Sequence, residues 1–112
     1  MPGPGVRPAA ATDEDGEGLD LLFAALADPT RRRLVTRLAR EGPRTATALA
    51  RDLPMSRQAV VHHLQTMGDA GLVEARRVGR EVLWTATAGA LAGPAAWLDA
   101  ARSTPHPGPN TR

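Results

Sequence analysis

The chain has 112 residues and a mass of 11.8 kDa, the size of one small domain and too short for a multidomain enzyme. It contains no cysteine, which excludes disulfides, thiolate zinc sites and cysteine nucleophiles. Its formal net charge is +2, and its apolar runs are far shorter than the roughly 20 residues that span a bilayer. With no basic region followed by an apolar stretch at the N-terminus, the sequence predicts a cytoplasmic protein without a membrane segment.

The small net charge hides an uneven distribution along the chain. Residues 1–30 hold six acidic residues and one arginine, whereas residues 31–112 hold 13 arginines and six acidic residues. A basic body behind an acidic leader is typical of nucleic-acid-binding proteins. All 14 basic residues are arginine. One explanation is codon usage in a GC-rich genome. The other is selection of guanidinium groups, which suit phosphates and guanine edges. The positions of the arginines must distinguish between the two.

Two proline- and glycine-rich segments flank the predicted folded part. Residues 1–18 combine proline, glycine, alanine and acidic residues with few large apolar side chains, and the C-terminal residues have a similar composition. Such segments bury too little apolar surface to offset the entropy lost on ordering. The sequence therefore predicts a disordered acidic tail over 1–18, one domain over 19–101 and a disordered tail over 102–112.

Two helices are predicted at the start of the domain. Apolar residues at helical spacing indicate the first: Leu19, Leu22, Phe23 and Leu26. Asp28 and Pro29 then supply the N-cap and the first position of a second helix, which ends at Gly42. The predicted inward face of this second helix consists of Leu34, Val35, Leu38 and Ala39.

A short helix, a four-residue turn and a longer helix follow. Thr45 caps the short helix over 46–52, and Ser56 caps the longer helix over 57–70. The predicted inward residues of the longer helix are Val60, Leu64 and Met67. Two helices joined by such a turn pack at a steep angle and leave the N-terminus of the second helix exposed.

The pattern then changes to that of a hairpin and a last helix. Residues 72–77 and 82–85 are strand-like runs around a turn over 78–81, in which Gly79 can adopt a positive φ. Thr87 is the predicted cap of a fifth helix, with Leu91, Ala95 and Leu98 at helical spacing. Gly93 and Pro94 lie inside this helix and are expected to kink or restart it.

This order of elements is that of a winged helix-turn-helix, so the predicted fold class is mainly α with a small β-hairpin wing. The exposed end of the fourth helix fits a major groove about 12 Å wide. There Arg57 can donate two hydrogen bonds to guanine and Gln58 can pair with adenine, while Val61 can contact a thymine methyl with His62 beside it. Each residue alone is typical of ordinary surface, but their coincidence at one helix end favours double-stranded DNA as a partner.

Further candidates for contact with DNA lie at two helix caps and on the hairpin. Ser56 and Thr45 can direct hydroxyls and backbone N–H groups at phosphates. Arg76, Arg77 and Arg80 flank the glycine turn. They are either solubilising charges that protect a strand edge or groups that enter a narrow minor groove. The adjacent helix-turn-helix favours the second interpretation.

The histidines raise the question of a metal site. His62 and His63 are adjacent, so on a helix their side chains point about 100° apart and do not chelate one ion together. His106 lies in the predicted C-terminal tail. The sequence therefore predicts no metal and no cofactor, with His63 hydrogen-bonded inside the fold and His62 free to contact DNA.

Four segments, residues 22–34 (LFAALADPTRRRL), 56–64, 68–74 and 76–80, resemble the ArsR family of bacterial winged-helix repressors. The resemblance covers residues 19–101 and implies a homodimer that represses transcription by occupying a palindromic operator. It implies base reading by Arg57, Gln58, Val61 and His62. It also assigns the wing role to Arg77 and Arg80, and places Arg31 in an ion pair or backbone contact. The implied dimer interface, on the first and last helices, comprises Leu19, Leu22, Phe23, Leu91, Trp97 and Leu98.

The chain departs from the metal-sensing members of that family. Its third helix has no thiols and its last helix offers only Asp99, so the chain is more similar to members without a metal site, some of which are autorepressors. No glycine loop or paired carboxylates indicate an enzyme. Two alternatives remain open: a winged-helix protein-interaction module that does not read DNA, or a repressor released by an unidentified small-molecule or metal effector. An effector pocket near Phe23 and Trp97 competes with a plain core role for these aromatic residues.

Overall fold

The computed structural model describes residues 16–103, so the predicted tails lie largely outside the described residues. Within this range the structure has five helices and three strands. They are α1 (Glu17–Ala25), α2 (Pro29–Glu41), β1 (Arg44–Thr45), α3 (Ala46–Arg51), α4 (Arg57–Asp69), β2 (Val73–Val78), β3 (Glu81–Ala86) and α5 (Ala92–Ser103). This is the predicted winged helix-turn-helix, and its helical part extends two residues beyond the predicted 19–101 at each end.

Three of the four predicted helix caps are present in the structure. The side chains of Asp28, Thr45 and Ser56 each accept a hydrogen bond of 3.1 Å from the backbone N–H three residues later. Each residue is in an extended conformation before its helix begins. These caps satisfy donors that a helix N-terminus cannot pair internally, and they therefore set where α2, α3 and α4 start.

The Asp28 cap predicts a pH-dependent stability. The backbone N–H of Arg31 lowers the pKa of the Asp28 carboxyl, and desolvation opposes this only in part. Because the folded-state pKa lies below the unfolded value of about 3.9, the stabilisation is fully present above that pH and is lost as the pH falls through the folded pKa. An Asp28→Asn variant keeps a neutral cap, so we expect wild type to be more stable in urea titrations at pH 7 and this advantage to shrink below about pH 4. A difference that stays constant between pH 7 and pH 2 would contradict the assignment.

The core lies where α2, α3, α4 and the hairpin meet. Its fully buried side chains are Leu34, Leu38, Leu49, Val60, Leu64, Met67 and Leu72. The predicted inward faces of α2 and α4 are confirmed with one exception: Ala39 is exposed. Since successive residues of a helix turn by about 100°, the sector of α2 covered by the core ends at Val35 and Leu38, and Ala39 faces the neighbouring groove.

The wing is a three-stranded sheet, of which the sequence predicted two strands. The order is β1-β3-β2, and β1 pairs antiparallel with β3 through Arg44 opposite Trp84 and Thr45 opposite Leu83. The hairpin turn is tighter than predicted because Val78 pairs with Glu81. Only two residues therefore form the turn, and Gly79 has the positive φ of +64° that it requires.

The start of α5 differs from the prediction. The helix begins at Ala92 and not after Thr87, whose backbone N–H donates to the Leu72 carbonyl at 2.9 Å. Two successive turns then lead into the helix through bonds from Ala90 to Thr87 and from Ala92 to Gly89. Pro94 consequently lies in the first helical turn, where its missing N–H has no intrahelical acceptor to lose, and the predicted kink or restart is wrong.

Candidate nucleic-acid interface

The helix-turn-helix consists of α3 and α4 with residues 52–56 between them. Leu49 and Leu53 are buried and hold α3 and the turn against α4, and the backbone N–H of Met55 donates to the Leu53 carbonyl at 2.8 Å. Ser56 and Arg57 at the beginning of α4 are exposed. The anchoring of α3 to the core therefore leaves the N-terminus of α4 facing solvent.

The four predicted base-reading residues lie on one side of α4. Arg57, Gln58 and His62 are exposed, whereas Val61 is half-buried and packs partly against the core. Residues four positions apart are neighbours on a helix surface, so Arg57 and Val61 form one row, and Gln58 and His62 form the adjoining row about 100° around the helix. The half-burial of Val61 leaves only part of its side chain available for contact with a base.

His63 faces the interior, where it meets Arg31. The Arg31 guanidinium donates to the backbone carbonyls of Ala25 at 2.7 Å and Ala24 at 3.3 Å, and its Nη1 lies 3.4 Å from His63 Nδ1. Because a guanidinium can only donate, Nδ1 of His63 is the acceptor in this contact. As predicted, Arg31 makes backbone contacts and His63 is hydrogen-bonded within the fold. This contact ties the C-terminus of α1 to α4.

Three elements bring arginines to one cleft beside the start of α4. The arginine cleft is lined by Thr45, Ala46, Thr47, Arg51, Arg57, Arg80, Glu81 and Val82. Arg51 comes from the end of α3, Arg57 from the start of α4 and Arg80 from the wing turn. Three arginines face one glutamate there, so the cleft is suited to a polyanion.

The comparisons with known proteins agree with this geometry. Residues 26–76 match a family described as a helix-turn-helix domain. The chain is 52% identical over 60 residues to the HTH-type transcriptional regulator Rv2034 of Mycobacterium tuberculosis, covering 54% of this chain and 55% of that protein. It is 40% identical to an ArsR-like transcriptional regulator from Rhodococcus sp. RHA1 of solved structure, with a TM-score of 0.67 and coverage of 77% of this chain and 80% of that chain. The chain belongs to the ArsR family.

A second ArsR-type structure adds a homodimer to the comparison. The chain is 28% identical to the homodimeric winged helix-turn-helix DNA-binding domain of Mb0332 from Mycobacterium bovis, with a TM-score of 0.64 and coverage of 91% of this chain and 90% of that chain.

The chain spans little more than half the length of Rv2034. Because the ArsR family consists of transcriptional regulators, the prediction that this protein is not an enzyme is confirmed.

The arginines of this ArsR-family chain fall into two groups. Within residues 16–103, five arginines have hydrogen bonds or ion pairs: Arg31, Arg32, Arg37, Arg44 and Arg102. Seven have no such partner among the described residues: Arg33, Arg40, Arg51, Arg57, Arg76, Arg77 and Arg80. Most of the second group lies on the arginine cleft or the wing. These guanidinium groups are therefore available to an external anion.

The strand register separates two of the wing arginines. Arg77 pairs with Val82, which lines the arginine cleft, whereas Arg76 pairs with Leu83. Neighbouring residues of a strand point to opposite faces, so Arg76 lies on the other side of the hairpin, where it lines a small groove with Glu74. Of these two residues, the register favours Arg77 as the one that shares the face of the cleft.

The sequence-based candidates at the caps remain in place, and one cleft residue was missed. The Thr45 and Ser56 hydroxyl oxygens accept from backbone N–H groups, which leaves their protons free to donate. Arg51 was not among the predicted binding residues, although it is exposed and lines the arginine cleft. The signal that could have identified it is its position in the last turn of α3, beside the exposed start of α4.

A second surface of this ArsR-family chain is apolar. Phe23 of α1 and Trp97 of α5 meet edge to face, with ring centroids 5.9 Å apart. Outside this contact Trp97 is 54% exposed, Leu98 54% and Leu91 44%. Leu21 is also exposed, whereas Leu19, Leu22 and Phe23 are half-buried within the protomer. We call Leu91, Trp97 and Leu98, which lie on α5 or directly before it, the apolar face. All three belong to the predicted dimer interface.

Residues 16–103 contain no group of three or more histidine, aspartate or glutamate side chains that could hold a metal ion. In the same part of the chain, no helix has the length and hydropathy needed to cross a bilayer.

Proposed function

We propose that the protein is a sequence-specific transcriptional repressor that binds a palindromic DNA operator as a homodimer. The observation that carries this proposal is the arginine cleft, at which three arginines from three elements, without partners among the described residues, surround the exposed start of α4. A cleft of this charge beside an unobstructed helix end is complementary to a duplex, whose phosphates border a groove wide enough for a helix.

In this proposal α4 reads the bases. Arg57 donates two hydrogen bonds to a guanine, Gln58 pairs with an adenine, and His62 contacts a neighbouring base edge. The support is their exposure on one face of α4, whose axis is held by the buried Val60 and Leu64. A recognition side chain on a firmly packed helix loses little conformational entropy when it binds, which favours discrimination between bases.

Phosphate and minor-groove contacts come from the elements around α4. Arg51 and the hydroxyls of Thr45 and Ser56 lie at the α3 and α4 termini, where they can bind backbone phosphates. Arg77 and Arg80 extend from the wing toward a flanking minor groove, which is most electronegative where it is narrow. Because each arginine–phosphate contact releases counterions, binding weakens steeply as salt is raised.

The homodimer in this proposal forms through the apolar face. A single domain seldom leaves large apolar side chains together on one surface unless a partner covers them. The Mb0332 domain, which has the same fold, is homodimeric. A two-fold axis through α1 and α5 would present two α4 helices to successive major grooves, with half-sites about one helical turn apart.

The experiment that tests the proposal compares the protein's own promoter with a scrambled duplex of the same length and composition. We expect fluorescence anisotropy at moderate salt to give at least about 10³-fold tighter binding to the promoter, as specific regulators show. Equal affinity for both duplexes would contradict the proposal. A winged-helix module that docks onto another protein would then be the better account of the fold.

A further inference from the structure

A groove on the side of α2 away from the arginine cleft has no role in the proposed DNA binding. It lies between α2 and the segment that joins β3 to α5, and its volume is about 790 Å³. Its walls are mainly apolar, with Val35, Leu38 and Ala39 on one side and Ala86, Leu91 and Ala95 on the other. Pockets of this size and character are typical of sites for small organic ligands. We call it the α2–α5 groove.

Two polar groups of the groove have no partner among residues 16–103. The Oγ1 atom of Thr87 is buried and has no hydrogen-bond partner there. Arg40 lines the same groove and makes neither an ion pair nor a hydrogen bond with any described residue. A buried hydroxyl without a partner is unfavourable, and it becomes satisfied when a ligand oxygen accepts its proton.

We propose that the α2–α5 groove binds a small amphipathic carboxylate. The apolar walls take the hydrocarbon part, Arg40 pairs with the carboxylate, and the Thr87 hydroxyl donates to an oxygen of the ligand. A single arginine beside a long apolar surface matches one negative charge on an apolar body, whereas a nucleotide or a polyphosphate needs several cations. Medium-chain fatty acids and aromatic carboxylic acids share this chemistry.

The location of the groove gives the ligand a route to regulation. Leu91 belongs both to the groove and to the apolar face, and Ala92 and Ala95 of α5 also line the groove. A ligand between α2 and α5 therefore alters the position of the helix on which the proposed dimer depends. This regulatory step rests on the proposed function, whereas the binding step does not.

Binding is tested on the full-length protein without DNA, with decanoate as the probe and decanol as its neutral analogue. We expect isothermal titration calorimetry to give saturable binding of one decanoate per chain. Decanol should bind roughly tenfold to a hundredfold more weakly, because it lacks the charge-assisted hydrogen bond to Arg40. Equal affinity for the two compounds, or no saturation, overturns the proposal.

Two arginines of α2 provide a matched pair of variants. Arg40→Gln should weaken decanoate binding by a similar factor, whereas Arg33→Gln should leave it unchanged. Arg33 is also exposed and unpaired within the described part of the chain, but it lies outside the groove. Circular dichroism melting curves establish that both variants are folded. Equal losses in the two variants would identify nonspecific attraction to a basic helix and would overturn the proposal.

A labelling experiment distinguishes the carboxylate from a second copy of the chain. The protein has no cysteine, so Ala39→Cys introduces a single thiol at the groove. We expect this thiol to react rapidly with a maleimide in the ligand-free dimer and slowly with saturating decanoate. If the labelling rate falls when the dimer forms and does not change with decanoate, the partner subunit fills the groove, which overturns the proposal. If decanoate protects the thiol but leaves operator affinity unchanged, binding stands and only the regulatory step fails.

Discussion

Replacing Leu98 with glutamate is expected to convert the dimer into a monomer and to weaken operator binding about 10²- to 10⁴-fold. Leu98 is 54% exposed on α5 and belongs to the apolar face, so in the proposed dimer a glutamate at this position would bring a charge into an apolar interface. A monomer contacts only one half-site and loses the advantage of two linked binding events, which sets the size of the effect. Sedimentation velocity measures the first part and fluorescence anisotropy with the operator the second.

The matched control for this variant is Val78→Glu. Val78 is 47% exposed and apolar, but it lies at the end of β2 in the wing and away from α1 and α5. The same substitution there should leave the protein dimeric in sedimentation velocity. Leu98→Met, which keeps the surface apolar, should also remain dimeric. If Leu98→Glu sediments as a dimer with wild-type operator affinity, the interface lies elsewhere.

Replacing Arg57 with alanine is expected to cost roughly 1 to 3 kcal/mol of operator-binding free energy and to relax the preference at one base pair. Arg57 is exposed at the first position of α4 and has no partner among the described residues, so the truncation removes a contact with DNA and little from the fold. Anisotropy titrations against operators substituted at each position measure both the affinity and the base preference.

Two other arginine variants show which part of that loss is specific. Arg80→Ala should weaken all sequences to a similar extent and lower the slope of log K against log salt by about 1, because its contact is electrostatic. Arg33→Ala removes another exposed charge, which does not line the arginine cleft, and should change neither quantity. Wild-type affinity and base preference in Arg57→Ala would show that α4 is not the reading helix.

Local signals explain why most of the fold could be predicted. The side chains of Asp28, Thr45 and Ser56 each accept a hydrogen bond from a backbone N–H three residues later. Because the two partners are so close in sequence, the residue types alone predict the cap. The inward residues of α4 are also a local signal, because the helical period sets their spacing in sequence. The part of the candidate site that is built from these local elements, including the exposed start of α4, could therefore be predicted from the sequence.

The features that were missed or wrong depend on distant partners. Strand β1 has two residues and exists because Arg44 pairs with Trp84 and Thr45 with Leu83, both far along the chain in β3. Thr87 resembles a helix cap in sequence, but its N–H donates to the carbonyl of Leu72, the residue before the first strand of the hairpin. Arg51 joins the proposed site only because the wing folds back beside α3. Hydrophobic periodicity carries no information about such pairings.

Thr45 belongs to two structures at once. It pairs with Leu83 in the sheet, and its side chain caps α3 through the Ala48 N–H. Thr45 therefore links the wing directly to the first helix of the helix-turn-helix. The angle between the proposed major-groove and minor-groove contacts is therefore fixed within each subunit. In the proposed dimer, we expect any adjustment to operators of different half-site spacing to come from a change at the interface between the two subunits.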